Sequence, residues 1–144
     1  MISSPVGALL LALWFAPYSA NPPRVATARW IVLFQNADYR VSLDTAHIDR
    51  RRDGTYRVLY ETWHFHAEID QGLRFNREEI VSDLRCAPLG FRTKEVALFL
   101  DQGPALSRKP GDGAAPNAPW RIPGTKSVDL DVMRAACRLI DKRK

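Results

Sequence analysis

Hydrophobic and polar side chains alternate along the chain from residue 30 to about residue 100 in runs of strand length. The run WIVLF at 30–34 is β-branched and aromatic. At 39–43, Tyr39, Val41 and Leu43 alternate with Arg40 and Ser42, so both segments predict strands. A turn is expected at 44–47, after which 48–52 leads into Asp53-Gly54, a dipeptide that tolerates positive φ and suits a tight primed hairpin turn. The return strand covers 55–67. Period two places Leu59, Trp63 and Phe65 on one of its faces and Val58, Tyr60, Thr62, His64 and His66 on the other. The first set is the expected partner of a covering helix.

Two more strands are predicted at 73–85 and 90–100, joined around Cys86-Ala87-Pro88, with Ile80, Ser82, Leu84 and Cys86 sharing a face. No helical crossover separates these four or five strands, which therefore form an antiparallel meander. Residues 103–119 hold four prolines and three glycines and read as a long loop. Ser127 then caps a helix with Asp129 and Asp131 in its first turn and Arg138, Lys142, Arg143 and Lys144 towards its end, an order that complements the helix dipole. Val128, Val132, Ala136, Leu139 and Ile140 give it one apolar stripe. The expected class is α+β: an antiparallel sheet of about 5–6 strands packed by a C-terminal helix.

Composition adds a compartment. The first twenty residues lack charge, and their apolar run at 6–16 is shorter than the roughly 20 residues a bilayer span needs. With Pro17 and the small pair Ser19-Ala20 behind it, the run predicts a signal peptide over 1–20, cleaved there or as late as 28, and a single domain over 28–144. No cysteine directly follows the apolar run, which argues against a lipid anchor and favours a periplasmic or secreted chain over a surface-displayed one, with no stable membrane span after processing. In an oxidising compartment the pair Cys86 and Cys137 reads as a disulfide; in a reducing one it reads as two buried thiols. The formal charge is +5, which favours acidic protein faces, polyanionic glycans, anionic lipid or nucleic acid. An exported chain without aromatic stacking spacing is not expected to bind nucleic acid.

Candidate chemistry is sparse. His64 and His66 fall on one strand face with His47 a distant third imidazole, short of the ligand set that zinc requires. Glu78-Glu79 are adjacent and face opposite ways. No phosphate loop, nucleophile elbow or cysteine cluster is present, so no cofactor and no catalytic residue are expected.

The order of the remaining features resembles the surface-adhesin protein E-like domain of proteobacteria. The matching residues are Trp30, then VSLDTAHIDRRRDGTYRVLYETWHF, DLRC ending at Cys86, Trp120, the turn at 123–127 and Cys137. The resemblance implies an exported sheet-and-helix domain closed by a Cys86–Cys137 bridge, with Trp30, Trp63 and Trp120 as framework residues. The family's adhesin binds host extracellular-matrix and serum proteins. The functional expectation is a non-enzymatic binding module for an extracellular protein or an acidic glycan. The alternatives are a periplasmic envelope component that forms a homodimer, and a metal-binding protein using His64 and His66.

Overall fold

The computed structural model describes residues 29–143; the proposed signal peptide lies outside them. Six strands, β1 (Trp30–Gln35), β2 (Tyr39–Arg50), β3 (Tyr56–Asp70), β4 (Leu73–Cys86), β5 (Leu89–Phe99) and β6 (Ala105–Pro110), are followed by one helix, α1 (Val128–Asp141). Each strand pairs antiparallel with its chain neighbours in the order β1-β2-β3-β4-β5-β6. This is the predicted meander.

Four local features differ from the sequence reading. The turn expected at 44–47 is a bulge inside the single strand β2, where register with β3 shifts between Leu43 and Ile48. Asp44 stabilises it by accepting hydrogen bonds from the amides of Arg29 (3.2 Å) and Ala46 (2.8 Å). The β2–β3 connection runs over 51–55 with one left-handed residue, Gly54 at φ 81°, whereas a primed turn needs two. The primed geometry occurs instead at Gln71 (φ 49°) and Gly72 (φ 81°), so β3 and β4 extend further than predicted. Finally, the 103–119 loop contains β6, because the backbone of this proline-rich stretch pairs along the outer edge of β5 from Phe99 to Glu95. Pro110 ends the strand at that edge.

The core lies between one sheet face and α1. Val41 and Leu43 of β2, Tyr56 and Val58 of β3, Leu84 of β4 and Phe91 of β5 pack against Val132, Met133, Ala136 and Ile140. The face prediction for β3 is therefore inverted. Val58 and Tyr60 lie under α1, while Trp63 is on the opposite face. Cross-strand register supplies the reason. Tyr56 pairs with Leu84 and Leu84 with Phe91, an apolar row, whereas Trp63 is flanked by Arg40 and Arg77. A helix cannot cover that second row without desolvating two guanidinium groups.

The helix begins as predicted. Ser127 Oγ accepts the Leu130 amide at 3.2 Å, Asp129 and Asp131 occupy the first turn, and Arg138 lies in the last. Cys137 of α1 is bonded to Cys86 at the end of β4, a disulfide spanning 51 residues. Arg143, just beyond the helix, donates to the Thr45 carbonyl at 2.7 Å and fixes that end to the β2 bulge. Among the described residues no helix is long and apolar enough to cross a membrane.

Candidate functional site

The face of the sheet away from α1 is built from rows of charged and aromatic side chains. Directly paired residues of neighbouring strands share a face, so Arg40, Trp63, Arg77 and Phe99 form one row across β2 to β5. The Arg77 guanidinium is 4.0 Å from the Phe99 ring centroid and 5.5 Å from that of Trp63. It also donates to the Asp101 carbonyl at 3.2 Å and pairs with Glu79. The adjacent row is Ser42, Glu61, Glu79 and Ala97, bordered by Arg108, which pairs with Glu95 at 3.0 Å.

Further along, Arg57 meets Asp83 through two hydrogen bonds of 2.9 and 3.3 Å. Trp120 lies between two cations, with the Arg85 guanidinium at 4.8 Å and that of Arg92 at 4.1 Å from its ring centroid. Among these rows the seven cations Arg40, Arg57, Arg77, Arg85, Arg92, Lys94 and Arg108 stand against the six carboxylates Asp44, Asp49, Glu61, Glu79, Asp83 and Glu95, leaving this face cationic by one. All three tryptophans named in the sequence reading border it.

Between Trp30 and Trp63 this face sinks into a cleft of about 310 Å³, lined also by Val32, Arg40, Ser42, Glu61, Arg77 and Gln102. Its polar groups are incompletely matched. The Arg40 Nε is buried without a hydrogen-bond partner among the described residues. Burial holds the Glu61 carboxyl above its ordinary 4.5, opposed by the Trp63 indole and by the cations of Arg77 and Arg40.

A carboxyl whose pKa rises on folding contributes most to stability below its unfolded value. The contribution is lost as pH climbs through the raised, folded value. Glu61→Gln is accordingly expected to raise the melting temperature at neutral pH and to leave it unchanged in acid below the ordinary glutamate range. A variant less stable than the parent at neutral pH would show that the ionised carboxylate is held favourably after all.

The three histidines do not meet. His47 is bound through Nδ1 to Asp44 in the β2 bulge. His64, on the α1 side, lies 3.9 Å from one carboxylate oxygen each of Glu68 and Glu78. His66 is exposed in the stretch of β3 where register with β4 shifts, between Trp63 and Glu68. Among the described residues no three His, Cys, Asp or Glu side chains are grouped to hold a metal.

Sequence reasoning missed Arg40, Arg77, Glu61 and Phe99 as a group. A usable signal was present in β3. Its odd positions 57, 59, 61 and 63 carry two charges, and its even positions 56, 58, 60 and 62 carry none. That difference identifies the wetter face. The chain matches no protein-family model, no curated protein and no solved structure.

Proposed function

We propose that the protein is an exported, non-enzymatic binding module that holds an acidic glycan on the cationic face of its sheet. The observation that carries this reading is the Trp30–Trp63 cleft, where two indoles flank Arg40 and Arg77 above the polar side chains of Ser42, Glu61 and Gln102. A sugar ring presents an apolar C–H face to an indole and hydroxyls to its sides. Its sulfate or carboxylate meets the guanidinium of Arg40, whose Nε has no hydrogen-bond partner among the described residues. The Cys86–Cys137 disulfide supports export, since such bonds persist in oxidising compartments. The resemblance to surface-adhesin protein E-like domains points the same way.

The test is retention on immobilised heparin as salt rises. The parent should be held at low salt and released as screening shortens the Debye length to about 3 Å near 1 M. Arg40→Ala with Trp63→Ala should elute much earlier. Replacement of Arg50, Arg51 and Arg52 at the β2–β3 loop should matter less. The reverse order of elution, or no retention at all, would remove the cleft from the account.

The second reading, an envelope component assembled as a homodimer, draws on the outer strand β1, whose Ile31 and Val32 side chains are exposed. A strict monomer in light scattering would count against it.

A further inference from the structure

On the other side of the sheet, a second cleft of about 240 Å³ lies where the first turn of α1 meets β2, β3 and β4. Its polar lining comes from Tyr39, Tyr60, Thr62, His64, Glu78 and Asp129 above an aliphatic floor of Val41, Ile80 and Val132. We propose that this cleft binds a small organic ammonium ion.

The charge balance favours a cation. Glu78 and Asp129 line the cleft, and Glu68 approaches the His64 ring from its other side. The neighbouring cation Lys109 is engaged with Asp70 at 2.7 Å. A helix N-terminus alone would attract an anion, but here Ser127 satisfies the Leu130 amide and Asp129 adds a negative charge.

One polar atom inside the cleft points to an occupant. The His64 Nε2 is buried without a hydrogen-bond partner among the described residues, 3.9 Å from the Glu78 carboxylate. That gap exceeds a direct hydrogen bond but suits a polar atom placed between the two. Thr62, only 9% exposed, lines the cleft beside His64. A primary ammonium donates N–H bonds to Glu78 and to whichever of Thr62 Oγ1 or His64 Nε2 accepts, whereas a quaternary one, which has no N–H, brings its charge and polarised methyl groups to the same carboxylate. The same insertion would relieve the Glu78 carboxyl, which burial pushes upward despite the nearby His64 and Lys109.

Ring contacts set the ligand's character. The Tyr39 and His64 centroids are 6.2 Å apart with planes tilted by 45°, and His64 stands edge-on to Phe75 at 5.7 Å. Tyrosine faces attract alkylammonium groups, and the aliphatic floor accepts methyl or methylene groups. The enclosed volume suits a small ligand. The volume holds roughly eight waters at about 30 Å³ each, so the fit is to a molecule the size of choline or ethanolamine.

The experiment is titration of the full mature protein with choline, with ethanolamine and with the uncharged carbon isostere of choline, following the ring resonances of Tyr39, Tyr60 and His64. Saturable shifts with one of the ammonium ions are expected, with the isostere weaker than choline by about tenfold, the scale of a partly desolvated cation–π contact. Glu78→Gln should weaken ammonium binding by about tenfold or more while leaving heparin retention unchanged. Asp129→Asn, at the helix surface, gives the same comparison should Glu78→Gln perturb the fold, and it should weaken binding in the same direction. Equal response to the uncharged isostere, unchanged affinity in both variants, or no saturable shift would overturn the proposal. Because the heparin face is on the opposite side of β3, loss of one activity leaves the other measurable.

Discussion

Serine in place of Cys86 or Cys137 is expected to lower the unfolding free energy by about 2 to 5 kcal/mol. The bridge closes 51 residues, for which chain entropy alone allows roughly 4 kcal/mol. It also joins the only helix among the described residues to the sheet it covers. Urea or guanidinium unfolding of the parent, of each serine variant and of the reduced parent checks the value, and all three altered forms should agree within error. Mature parent protein should show no free thiol before reduction. Two titratable thiols in native protein would overturn both the bridge and the compartment it implies.

Leu84→Ala is expected to cost about 2 to 5 kcal/mol, whereas Trp63→Ala should cost no more than about 2. Leu84 is 0% exposed at the centre of the layer between β4 and α1, and its truncation leaves a void with packed neighbours on every side. Trp63 is larger but half-buried on the cationic face, where it loses mainly the stacked Arg77 guanidinium. Thermal melting of the two variants side by side decides the order. A collapse in Trp63→Ala equal to that of Leu84→Ala would restore Trp63 to a core role.

The contrast between these residues shows what could be read from the sequence. Period two sorted β3 correctly into a Trp63 set and a Tyr60 set, because alternation follows from backbone geometry alone. Which set meets the helix depends on the neighbours that register brings alongside, and Arg40 and Arg77 are separated from Trp63 by 23 and 14 positions. The helix was legible in its cap and first-turn acids, which are local, and in Val132, Ala136 and Ile140 of its stripe; Leu130 and Met133 complete the buried face unpredicted, while Val128 and Leu139 are only half-buried. β6 was not: ALSRKP has little strand propensity of its own and is held by the paired edge of β5. Of the two clefts, the tryptophans and the shared face of Tyr60, Thr62 and His64 were visible beforehand. The other polar lining residues come from three different strands, the turn after β5 and the first turn of α1.

The meander pairs every strand with its predecessor, so the sheet can zip up from contacts made nearby in sequence. Closure is different. The helix returns to a bulge laid down far earlier, and the Arg143–Thr45 contact spans 98 positions. An oxidised chain whose helix has undocked keeps that helix leashed to the end of β4, so re-docking is a short-range, first-order event. In a reduced chain the same helix must find the sheet again across a free loop, with the apolar face of β2 to β5 open to other chains for the whole search. The bridge therefore acts as a guard against aggregation as well as a contribution to stability.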